Sequence, residues 1–332
     1  MHLQFELTGC PVNLYEYSAQ EEAIMGKAIF YTVLVLVLSI GTYGCKKGDE
    51  KTIVLNAPGS AVKAPQPEER EVRIAVGGMI TPKEGMSYYR DFLRYVQEKI
   101  GTKVEYVDRE GYAEINDMLE KGQLDAAFVC SGPYVDGHSK FGLELLVAPQ
   151  AYGTTVYYSY IIVGKESIFR SFAELRGKRF AFADPLSNTG ALVPTYMLAK
   201  MAETPKSFFK EVIYTKAHDK SIKAVAQGIV DGAAVDSLIW EYLNATDPEF
   251  TAKTRILLKS PPYGIPPLVV SRELAPELKA KLREAFLNAN TDPKGKAILR
   301  KMKIDRFVVI DDKAYDSVRE MQDWIAKQKP AQ

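Results

Sequence analysis

The sequence predicts a two-lobed α/β fold in which each lobe is a mostly parallel β-sheet flanked by helices. Short apolar runs typical of strands alternate with amphipathic helical segments from Val72 onward, and this alternation restarts near Val156. A helix-to-strand joint of similar composition occurs once in each half of the chain. With 332 residues, the chain is long enough for about two ordinary domains.

The first half of the folded part follows the order β-α-β-α-β. Strands are predicted at Val72–Val76, Val104–Val107 and Ala126–Cys130, and helices at Tyr88–Ile100 and Tyr112–Lys121. A glycine follows each helix, as is typical of helix C-termini. Units of this kind form parallel sheets with right-handed crossovers.

The second half repeats the alternation and then extends it. Its predicted strands are Val156–Val163, Arg179–Ala183, Val212–Tyr214, Gly232–Val235, Arg255–Lys259, Leu268–Val270 and Phe307–Ile310. Its predicted helices are Phe172–Leu175, Thr189–Met201, Ser221–Gln227, Glu277–Asn288, Lys294–Lys301 and Tyr315–Lys327. We expect a two-strand hinge near Tyr160 and Pro262–Pro267. The expected lobes are residues 71–158 with 263–332, and residues 159–262.

The repeated joint favours two similar lobes. In the first half a helix ends at Gly122 and a strand of small residues begins after Asp125, while Gly228 and Asp231 hold the same places in the second half. Glycine after a helix and aspartate in the next turn are common at such joints. The alternative is a common loop that the chain uses twice.

The N-terminal region has the organisation of an export signal. Lys27 precedes the apolar run Ala28–Ile40, which at 13 residues is short for a membrane-spanning helix. Gly44-Cys45 then resembles a bacterial lipobox, although Thr42 stands where leucine is usual. We expect residues 25–44 to be a signal peptide and Cys45 to carry lipid. An uncleaved membrane anchor and free secretion are the alternatives.

Two further stretches are expected to lie outside the folded part. Residues 1–24 place Glu21 and Glu22 ahead of the apolar run, so we expect the true start at Met25. Residues 45–70 are rich in proline, alanine, glycine and charge, which predicts a disordered tether. The mature protein would then be periplasmic or at the cell surface.

Composition argues against several classes of function. The net charge is +1, and the chain has no basic, aromatic-rich stripe of the kind that binds nucleic acid. Its three cysteines and three histidines are not spaced as metal ligands. No nucleophile–base pair and no Walker loop is found, so neither an enzyme nor a cofactor is expected.

The strongest candidate for a binding site is the turn Asp184–Gly190. It follows a predicted strand and opens a predicted helix with Ser187, Asn188 and Thr189, each of which can cap a helix. The free N–H groups and the dipole of a helix N-terminus bind oxyanions without a cationic side chain. Gly190 would allow a ligand to approach closely. The alternative is an N-cap that simply has more polar residues than it needs.

Other candidates stand at strand ends or helix starts. His218 precedes a helix and can donate to an anion, and Asp236 ends a buried strand, where α/β sheets place ligands. A carboxylate beside an anion is unfavourable unless it accepts a proton from the ligand or pairs with a ligand ammonium, so Asp236 would act in selectivity. Phenols that could orient a polar ligand are those of Tyr112, Tyr134, Tyr157 and Tyr158. For each candidate, a packing, capping or surface role is the alternative.

Together these segments resemble the phosphate/phosphite/phosphonate solute-binding family of ABC transporters over Val72–Ile310. The main likeness is Asp-Pro-Leu-Ser-Asn-Thr-Gly at 184–190, where the family often ends in Ser-Thr-Ser-Gly. The other matching stretches are Gly111-Tyr112, Gly122–Phe128, Ser131–Tyr134, Tyr157–Val163, and His218 with Val230-Asp231. The resemblance implies a type II periplasmic-binding-protein-like fold, a small oxyanion ligand and an ABC permease as partner.

The resemblance also implies roles for individual residues. Ser187, Asn188 and Thr189 would hold the oxyanion with their backbone amides. Tyr112 and one of Tyr157-Tyr158 would contact it from the other lobe, and His218 would donate from the second lobe. The acids that hold an amino group in aminophosphonate binders are missing. The turn Ser260–Pro267 has none, and Leu238 stands at the other position.

We therefore expect an extracytoplasmic, monomeric solute-binding lipoprotein that captures phosphate, phosphite or a simple phosphonate by lobe closure. An aminoalkylphosphonate is not expected. The alternatives are a binding protein that reports to a membrane sensor kinase, a binder of a different small anion, an enzyme on the same fold, and a structural lipoprotein with a vestigial cleft.

Overall fold

The computed structural model describes residues 71–77, 82–109 and 111–328. The expected signal peptide, Cys45 and tether lie outside these residues. Within them, two β-sheets are each flanked by helices, and a two-stranded ladder stands apart from both. No helix in the described part of the chain is long and apolar enough to cross a bilayer.

Three stretches of chain build the two lobes and the hinge. The first contributes β1 Val72–Val76, α1 Pro82–Ile100, β2 Val104–Val107, α2 Tyr112–Glu120, β3 Ala126–Phe128, α3 Ser131–Phe141, β4 Glu144–Gln150 and β5 Val156–Tyr157. The second contributes β6 Ser159–Gly164, β7 Arg179–Phe182, α4 Val193–Lys200, α5 Pro205–Phe208, β8 Glu211–Tyr214, α6 His218–Ala226, β9 Gly232–Asp236, α7 Ser237–Thr246 and β10 Thr254–Lys259. The third contributes β11 Tyr263–Gly264, β12 Leu268–Val270, α8 Pro276–Leu287, α9 Pro293–Lys301, β13 Arg306–Val308 and α10 Asp316–Gln328.

Both sheets are mixed. The first-lobe sheet has the order β13-β4-β12-β3-β1-β2, in which β3, β1 and β2 are parallel and the other pairs are antiparallel. The second-lobe sheet has the order β10-β6-β9-β7-β8, in which β9, β7 and β8 are parallel. The parallel pairs come from the expected β-α-β units. Strands β6, β10 and β12, which adjoin the crossings between the lobes, run antiparallel to their neighbours.

Several elements differ from the sequence-based prediction. Helix α3, strand β4 and helices α5 and α7 were not predicted, and the long strand at 156–163 is two strands, β5 and β6. The sequence of α3 does not predict a helix, because it contains Gly132, Pro133 and Gly137, and glycine and proline disfavour a helix interior. Pro133 is tolerated because it lies in the first turn, where its missing N–H has no helical partner.

Aromatic side chains fill both cores. In the first lobe Phe92 packs against Phe286 and Phe307, with ring centroids 5.2 and 5.4 Å away. In the second lobe Phe180 stacks on Phe209 at 4.4 Å. These rings are buried and hold the helices against their sheets. The larger buried cluster runs from the first lobe into second-lobe residues such as Ile162 and Val235, and the second lobe has a smaller cluster of its own around Phe180 and Phe209.

The helix-to-strand joint of the first lobe is held by one aspartate. The Asp125 carboxylate accepts a hydrogen bond of 2.8 Å from the N–H of Arg73, which lies on the neighbouring strand β1. The Arg73 guanidinium in turn donates 2.6 Å to the carbonyl of Gly122, which has a φ of 62°. Glycine adopts this left-handed conformation at little cost.

The second lobe repeats this arrangement with the same spacing along the chain. The Asp231 carboxylate accepts 2.8 Å from the Arg179 N–H, and the Arg179 guanidinium donates 3.1 Å to the carbonyl of Gly228. These partners are 52 and 49 residues apart, as they are in the first lobe. The shared joint is a structural repeat, as the sequence comparison of the two halves favoured.

Two chain segments cross between the lobes side by side. Strands β5 and β11 pair with Tyr157 opposite Tyr263. Just beyond them the Ser159 N–H donates to the Ser260 hydroxyl at 2.9 Å, and the Ser260 N–H donates to the Ser159 carbonyl at 3.0 Å. Such a short paired connection lets two rigid lobes move relative to each other.

Candidate functional site

The turn at 187–190 begins a helix from the second lobe. Ser187 is its N-cap, and the Ser187 hydroxyl accepts a hydrogen bond of 3.0 Å from the N–H of Gly190. A single π-helical turn at Asn188–Leu192 then leads into α4. Ser187, Asn188 and Thr189 are fully buried. The N–H groups of Asn188 and Gly190 donate to the Cys130 thiol and the Ser187 hydroxyl, and the positive end of the helix dipole lies in the interior seam between the two lobes.

Gly190 is required by packing rather than by its backbone angles. A Cβ atom at this position would lie 2.6 Å from Cβ of Ala183 and 2.9 Å from Cε1 of His218. The turn therefore packs directly on the end of β7 and on the histidine ring. Glycine brings the 187–190 segment and His218 together in one site.

His218 is a neutral donor in this structure. Its Nδ1 lies 3.1 Å from the backbone N–H of Asp236, which can only donate, so Nδ1 is the acceptor and Nε2 carries the proton. Nε2 lies 3.5 Å from the Ser187 hydroxyl. Complete burial lowers the pKa of His218 to about 3, so the ring is uncharged at neutral pH. With Gly190 and His218 donating to Ser187, the Ser187 hydroxyl proton is directed to a third partner.

Asp236 is the only carboxylic acid among the predicted site residues. One oxygen caps α7 by accepting 2.7 Å from the N–H of Leu238, and the other has no hydrogen-bond partner in the described part of the chain. Burial raises the pKa of Asp236 to about 7, although hydrogen bonds from Leu238 and Ile239 partly oppose this shift. The carboxyl group is therefore close to its titration midpoint at neutral pH.

The first lobe supplies two buried phenols. The Tyr157 hydroxyl shares a hydrogen bond of 2.6 Å with the Ser131 hydroxyl. The Tyr157 oxygen also accepts a hydrogen bond of 3.2 Å from the side-chain amide of Asn188 in the second lobe. Tyr112 begins α2, and its phenol has no partner among the described residues. Burial raises the pKa of both phenols well above the ordinary value, so both remain protonated. The Tyr112 ring fits here because Gly77 leaves space: a Cβ there would lie 2.4 Å from Cε1 of the ring.

Two predicted tyrosines have other surroundings. The Tyr134 phenol donates 2.5 Å to Asp312, and its ring packs on that of Tyr315 at 4.8 Å. Tyr158 lies under the ammonium group of Lys259, which is 3.6 Å from the ring centroid. The structure thus brings Tyr112 and Tyr157 to the seam and gives Tyr134 a bond within the first lobe.

Four residues that the sequence did not single out for the site also lie there. The Asn188 N–H donates to the Cys130 thiol at 3.4 Å, and Ser131 contacts Tyr157. The Asp184 carboxylate accepts 3.2 Å from the N–H of Tyr112, so it caps a helix of the opposite lobe. Ser159 of the hinge donates 2.6 Å to the Thr189 carbonyl. Asp184 belongs to the predicted turn, and Ser131 and Ser159 lie in segments that resemble the binding-protein family, whereas Cys130 lies between two such segments.

The seam contains unpaired polar atoms. Those without a hydrogen-bond partner among the described residues include the Tyr112 phenol, Asn188 Oδ1, the Thr189 hydroxyl and Asp236 Oδ2. Buried polar groups almost always have a partner, and an isolated one is unfavourable by about 1–3 kcal/mol. Four such atoms on residues of this seam can pair with a polar guest that brings both acceptors and donors.

The lobes are in direct contact around these atoms. A Cβ on Gly132 of α3 would lie 2.2 Å from the carbonyl oxygen of Leu186 in the opposite lobe. The close packing of Gly132 on Leu186 and the hydrogen bonds from Tyr112 to Asp184 and from Asn188 to Tyr157 hold the two lobes in contact. The arrangement defines a class of protein: a two-lobed ligand-binding protein whose lobes are in contact around these residues.

Comparisons with known proteins identify the family. A model of the ABC-transporter phosphonate periplasmic substrate-binding protein family matches residues 75–315. The chain is 26% identical over 242 residues to the phosphonates-binding periplasmic protein of Escherichia coli (strain K12), covering 71% of each chain. It is 26% identical over 212 residues to the phosphate-import protein PhnD of Mycolicibacterium smegmatis, covering 60% of this chain and 65% of that protein. The chain therefore belongs to this family of substrate-binding proteins.

Solved structures agree with this assignment. A binding protein component of an ABC phosphonate transporter from Pseudomonas aeruginosa superimposes with a TM-score of 0.73 at 25% identity, covering 77% of this chain and 86% of that one. PhnD1 of Prochlorococcus marinus, solved with methylphosphonate, has the same fold, with a TM-score of 0.70 at 19% identity and coverage of 77% and 98%. The predicted type II binding-protein fold and family resemblance are confirmed.

The raised pKa of Asp236 predicts a pH dependence of stability. The folded state favours the neutral form of Asp236, whose pKa in the unfolded chain is about 3.9. The neutral acid therefore stabilises the fold fully below about pH 3.9, and this stabilisation is lost as the pH rises through the folded-state pKa of about 7. His218 acts in the opposite sense, because its pKa is lowered and protonation of the unfolded state reduces stability below about pH 6.5.

Comparison of wild type with Asp236→Asn isolates the aspartate, since His218 is common to both. The free energy of unfolding of each ligand-free protein is measured in denaturant from pH 5 to pH 8. We expect it to decline less with rising pH in Asp236→Asn than in wild type. Parallel pH profiles for the two proteins would show that Asp236 does not titrate in this range.

Proposed function

We propose that this chain captures a tetrahedral phosphorus oxyanion that carries one exchangeable proton, which can be phosphate, phosphite or a phosphonate. It holds the anion in the seam between the lobes and delivers it to the permease of an ABC transporter. The observation that carries the proposal is the group of unpaired buried polar atoms on Tyr112, Asn188, Thr189 and Asp236. Family membership supports the transport role.

The groups around the seam match such a guest. The hydroxyls of Ser187 and Thr189 and the phenol of Tyr112 can donate to oxyanion oxygens. The helix N-terminus at Asn188 supplies partial positive charge, so the anion needs no lysine or arginine partner. Hydrogen bonds to a charged group are the stronger kind, about 1.5–3 kcal/mol each.

Asp236 would select for the protonation state of the ligand. Its free oxygen can accept a hydrogen bond from a P–OH group, whereas sulfate has no proton to donate at neutral pH. When Asp236 is ionised it would repel sulfate and accept from the phosphorus acid, because an unpaired carboxylate beside an anion is unfavourable. The pKa of Asp236, raised to about 7, sets the pH at which this discrimination begins.

Closure of the lobes would complete the site. The Asp184 cap on α2 and the Asn188–Tyr157 bond form only when the lobes meet. A ligand favours the closed state through the hydrogen bonds that it makes only there. Closure also excludes the water that would compete for the same donors, and the closed surface is what a permease would recognise.

The proposal places the protein outside the cytoplasmic membrane, attached through lipid on Cys45. The apolar run that ends before Gly44-Cys45 supports export and lipidation. Lipid at this position, followed by the polar stretch 46–70, would hold the lobes near the permease. The ligand would then be captured on the side of the membrane from which it is imported.

Removal of one hydroxyl tests the oxyanion site. Thr189→Val keeps the shape of a fully buried side chain and removes an unpaired hydroxyl, so the melting temperature without ligand should hardly change. Affinity for phosphite, phosphate or methylphosphonate should fall by roughly ten- to 150-fold. Titration calorimetry measures the affinity, and thermal unfolding measures the stability.

Thr251→Val is the matched control, because Thr251 is also buried with an unpaired hydroxyl but lies in the turn before β10. It should leave affinity unchanged. The same titrations should include sulfate and amino acids at neutral pH. The oxyanion proposal would be wrong if only amino acids bind. It would also be wrong if both threonine variants and wild type bind the phosphorus oxyanions with equal affinity.

A methyl group on Gly132 tests closure. Gly132→Ala would place Cβ against the Leu186 carbonyl at 2.2 Å, so we expect weaker ligand binding and less contraction on ligand addition. Gly137→Ala is the control on the same helix, since its Cβ would meet only Phe141 and Leu143 of the same lobe. Small-angle scattering with and without phosphite measures the contraction. Wild-type contraction in Gly132→Ala would contradict the closed arrangement.

The lipid anchor is tested by Cys45→Ser in bacteria that process lipoproteins. We expect the variant to leave the membrane fraction, whereas wild type and Cys130→Ser remain there. Quantitative blotting of separated fractions is the measurement. Retention of Cys45→Ser in the membrane at the wild-type level would show that another segment anchors the protein.

A further inference from the structure

The last helix of the described chain contacts both lobes. In α10 the apolar residues Val318, Met321 and Trp324 recur at a regular helical spacing, so they lie on one broad face of the helix. Val318 and Met321 are buried, and Trp324 is half-buried at the edge of this face. Helix α10 packs against α3 of the first lobe and against α4 of the second. It therefore bridges the two lobes beside the seam.

The start of α10 is bonded to the first lobe and to the hinge. The Arg319 guanidinium donates to the Asp312 carboxylate, which also accepts a hydrogen bond from the Tyr134 phenol of α3. Further along the helix, the Met321 sulfur accepts a hydrogen bond of 3.6 Å from the phenol of Tyr263, which lies on the crossing strand β11. These contacts fix the first turns of α10 to the first lobe and to one of the segments that cross between the lobes.

The end of α10 reaches the second lobe through an aromatic pair. The Trp324 ring packs edge-to-face on the ring of Tyr196, with the two centroids 5.2 Å apart. Tyr196 lies on α4, in the same run of helix that begins at the 187–190 turn. Trp324 thus supports, from outside the seam, the helix whose N-terminus is the centre of the proposed oxyanion site.

We propose that α10 is a clasp between the lobes, in which Trp324 acts as a positioning residue for the 187–190 turn through its contact with Tyr196. The inference rests on the proposed function, in which the lobes open to admit the anion and close over it. Because the start of α10 is bonded to the first lobe, rotation about the crossing strands pulls α4 away from Trp324. The contact between Trp324 and Tyr196 therefore breaks on opening and slows the release of bound ligand.

The clasp stabilises the closed lobes by a different force from the hydrogen bonds in the seam. A bond such as that from Asn188 to Tyr157 is exchanged for bonds to water when the lobes part, so its net contribution is small. Contact between Trp324 and Tyr196 removes apolar ring surface from water, and no bond to water replaces it. Aromatic pairs of this geometry change an equilibrium by about two- to twelvefold. Trp324 thus acts on closure without touching the ligand.

The experiment compares wild type with Trp324→Ala and Trp324→Phe, using phosphite, phosphate and methylphosphonate as ligands. Rapid-mixing kinetics give the rates, and titration calorimetry gives the affinity. We expect Trp324→Ala to release ligand about two- to twelvefold faster, with an unchanged association rate. Trp324→Phe keeps a ring against Tyr196 and should restore release close to the wild-type rate. Asp323→Ala is the control, because Asp323 is exposed beside Trp324, and it should match wild type.

A double-mutant cycle tests whether the two rings act as a pair. Tyr196→Ala should accelerate release by as much as Trp324→Ala does, and the variant with both changes should be no faster than either one. A merely destabilising change in α10 would lower the melting temperature without this coupling to Tyr196. Additive effects of the two substitutions on the release rate would refute the contact as the cause.

Tryptophan emission follows the clasp in a protein that keeps both rings. The chain has two tryptophans, and Trp240 is held within the second lobe, where its indole donates 3.1 Å to Thr254. In Trp240→Phe, we expect the emission maximum of Trp324 to shift when phosphite, phosphate or methylphosphonate binds, since the ring moves out of water onto Tyr196. This measurement decides the proposal even if Trp324→Ala does not fold.

The outcomes separate this inference from the proposed function. If none of the phosphorus oxyanions binds to wild type, the proposed function is wrong and the clasp is wrong with it. If one of them binds but Trp324→Ala releases it at the wild-type rate, the oxyanion site stands and the clasp is refuted. Unchanged emission of Trp324 on ligand binding would also refute it, and would indicate that α10 moves with the second lobe as one body.

Discussion

Polar atoms in a protein interior need partners, and this requirement organises the seam between the lobes. The Thr189 hydroxyl and Asp236 Oδ2 are buried there without a partner among the described residues. In the proposed function, water would meet this need when the lobes are apart, and a polar guest would meet it when they close. Because the guest would replace several hydrogen bonds to water at once, closure and binding would depend on each other.

The hinge is bonded to the same segments that would hold the guest. Ser159 donates to the Thr189 carbonyl at 2.6 Å, and it pairs with Ser260 on the other crossing strand. Tyr158 and Ser237 exchange two hydrogen bonds of 3.0 Å, which tie the hinge to the helix start next to Asp236. Both walls of the site are therefore bonded directly to the crossing strands, and in the proposed function a small rotation at these strands would assemble or open the site.

Burial sets the charge of the site when the lobes are in contact. It lowers the pKa of His218 to about 3 and raises that of Asp236 to about 7, and both shifts favour the uncharged form. The two residues are joined through the Asp236 N–H, which fixes the histidine tautomer. Because His218 is uncharged, the helix N-terminus is the main source of positive potential in the site. An anion with one proton suits this balance better than a bare dianion.

Local features of the sequence determined most of the secondary structure. Glycines after helices, apolar periodicity and the Ser-Asn-Thr-Gly turn act over a few residues, so β1, β2, α2 and the 187–190 cap were predictable. The repeated aspartate joints were visible for the same reason. Helix α3 was not predicted because its glycines and proline have low helix propensity, and the helix depends on tertiary packing for its stability.

Only the tertiary structure decided which side chains meet. Cys130 and Asn188 are 58 residues apart, and Tyr112 and Asp184 are 72 apart, yet each pair shares a hydrogen bond across the seam. The bond from Tyr134 to Asp312 spans 178 residues. Sequence periodicity reports which face of one element is buried but not which element covers it. The composition of the site beyond its central turn therefore depended on how the two lobes close.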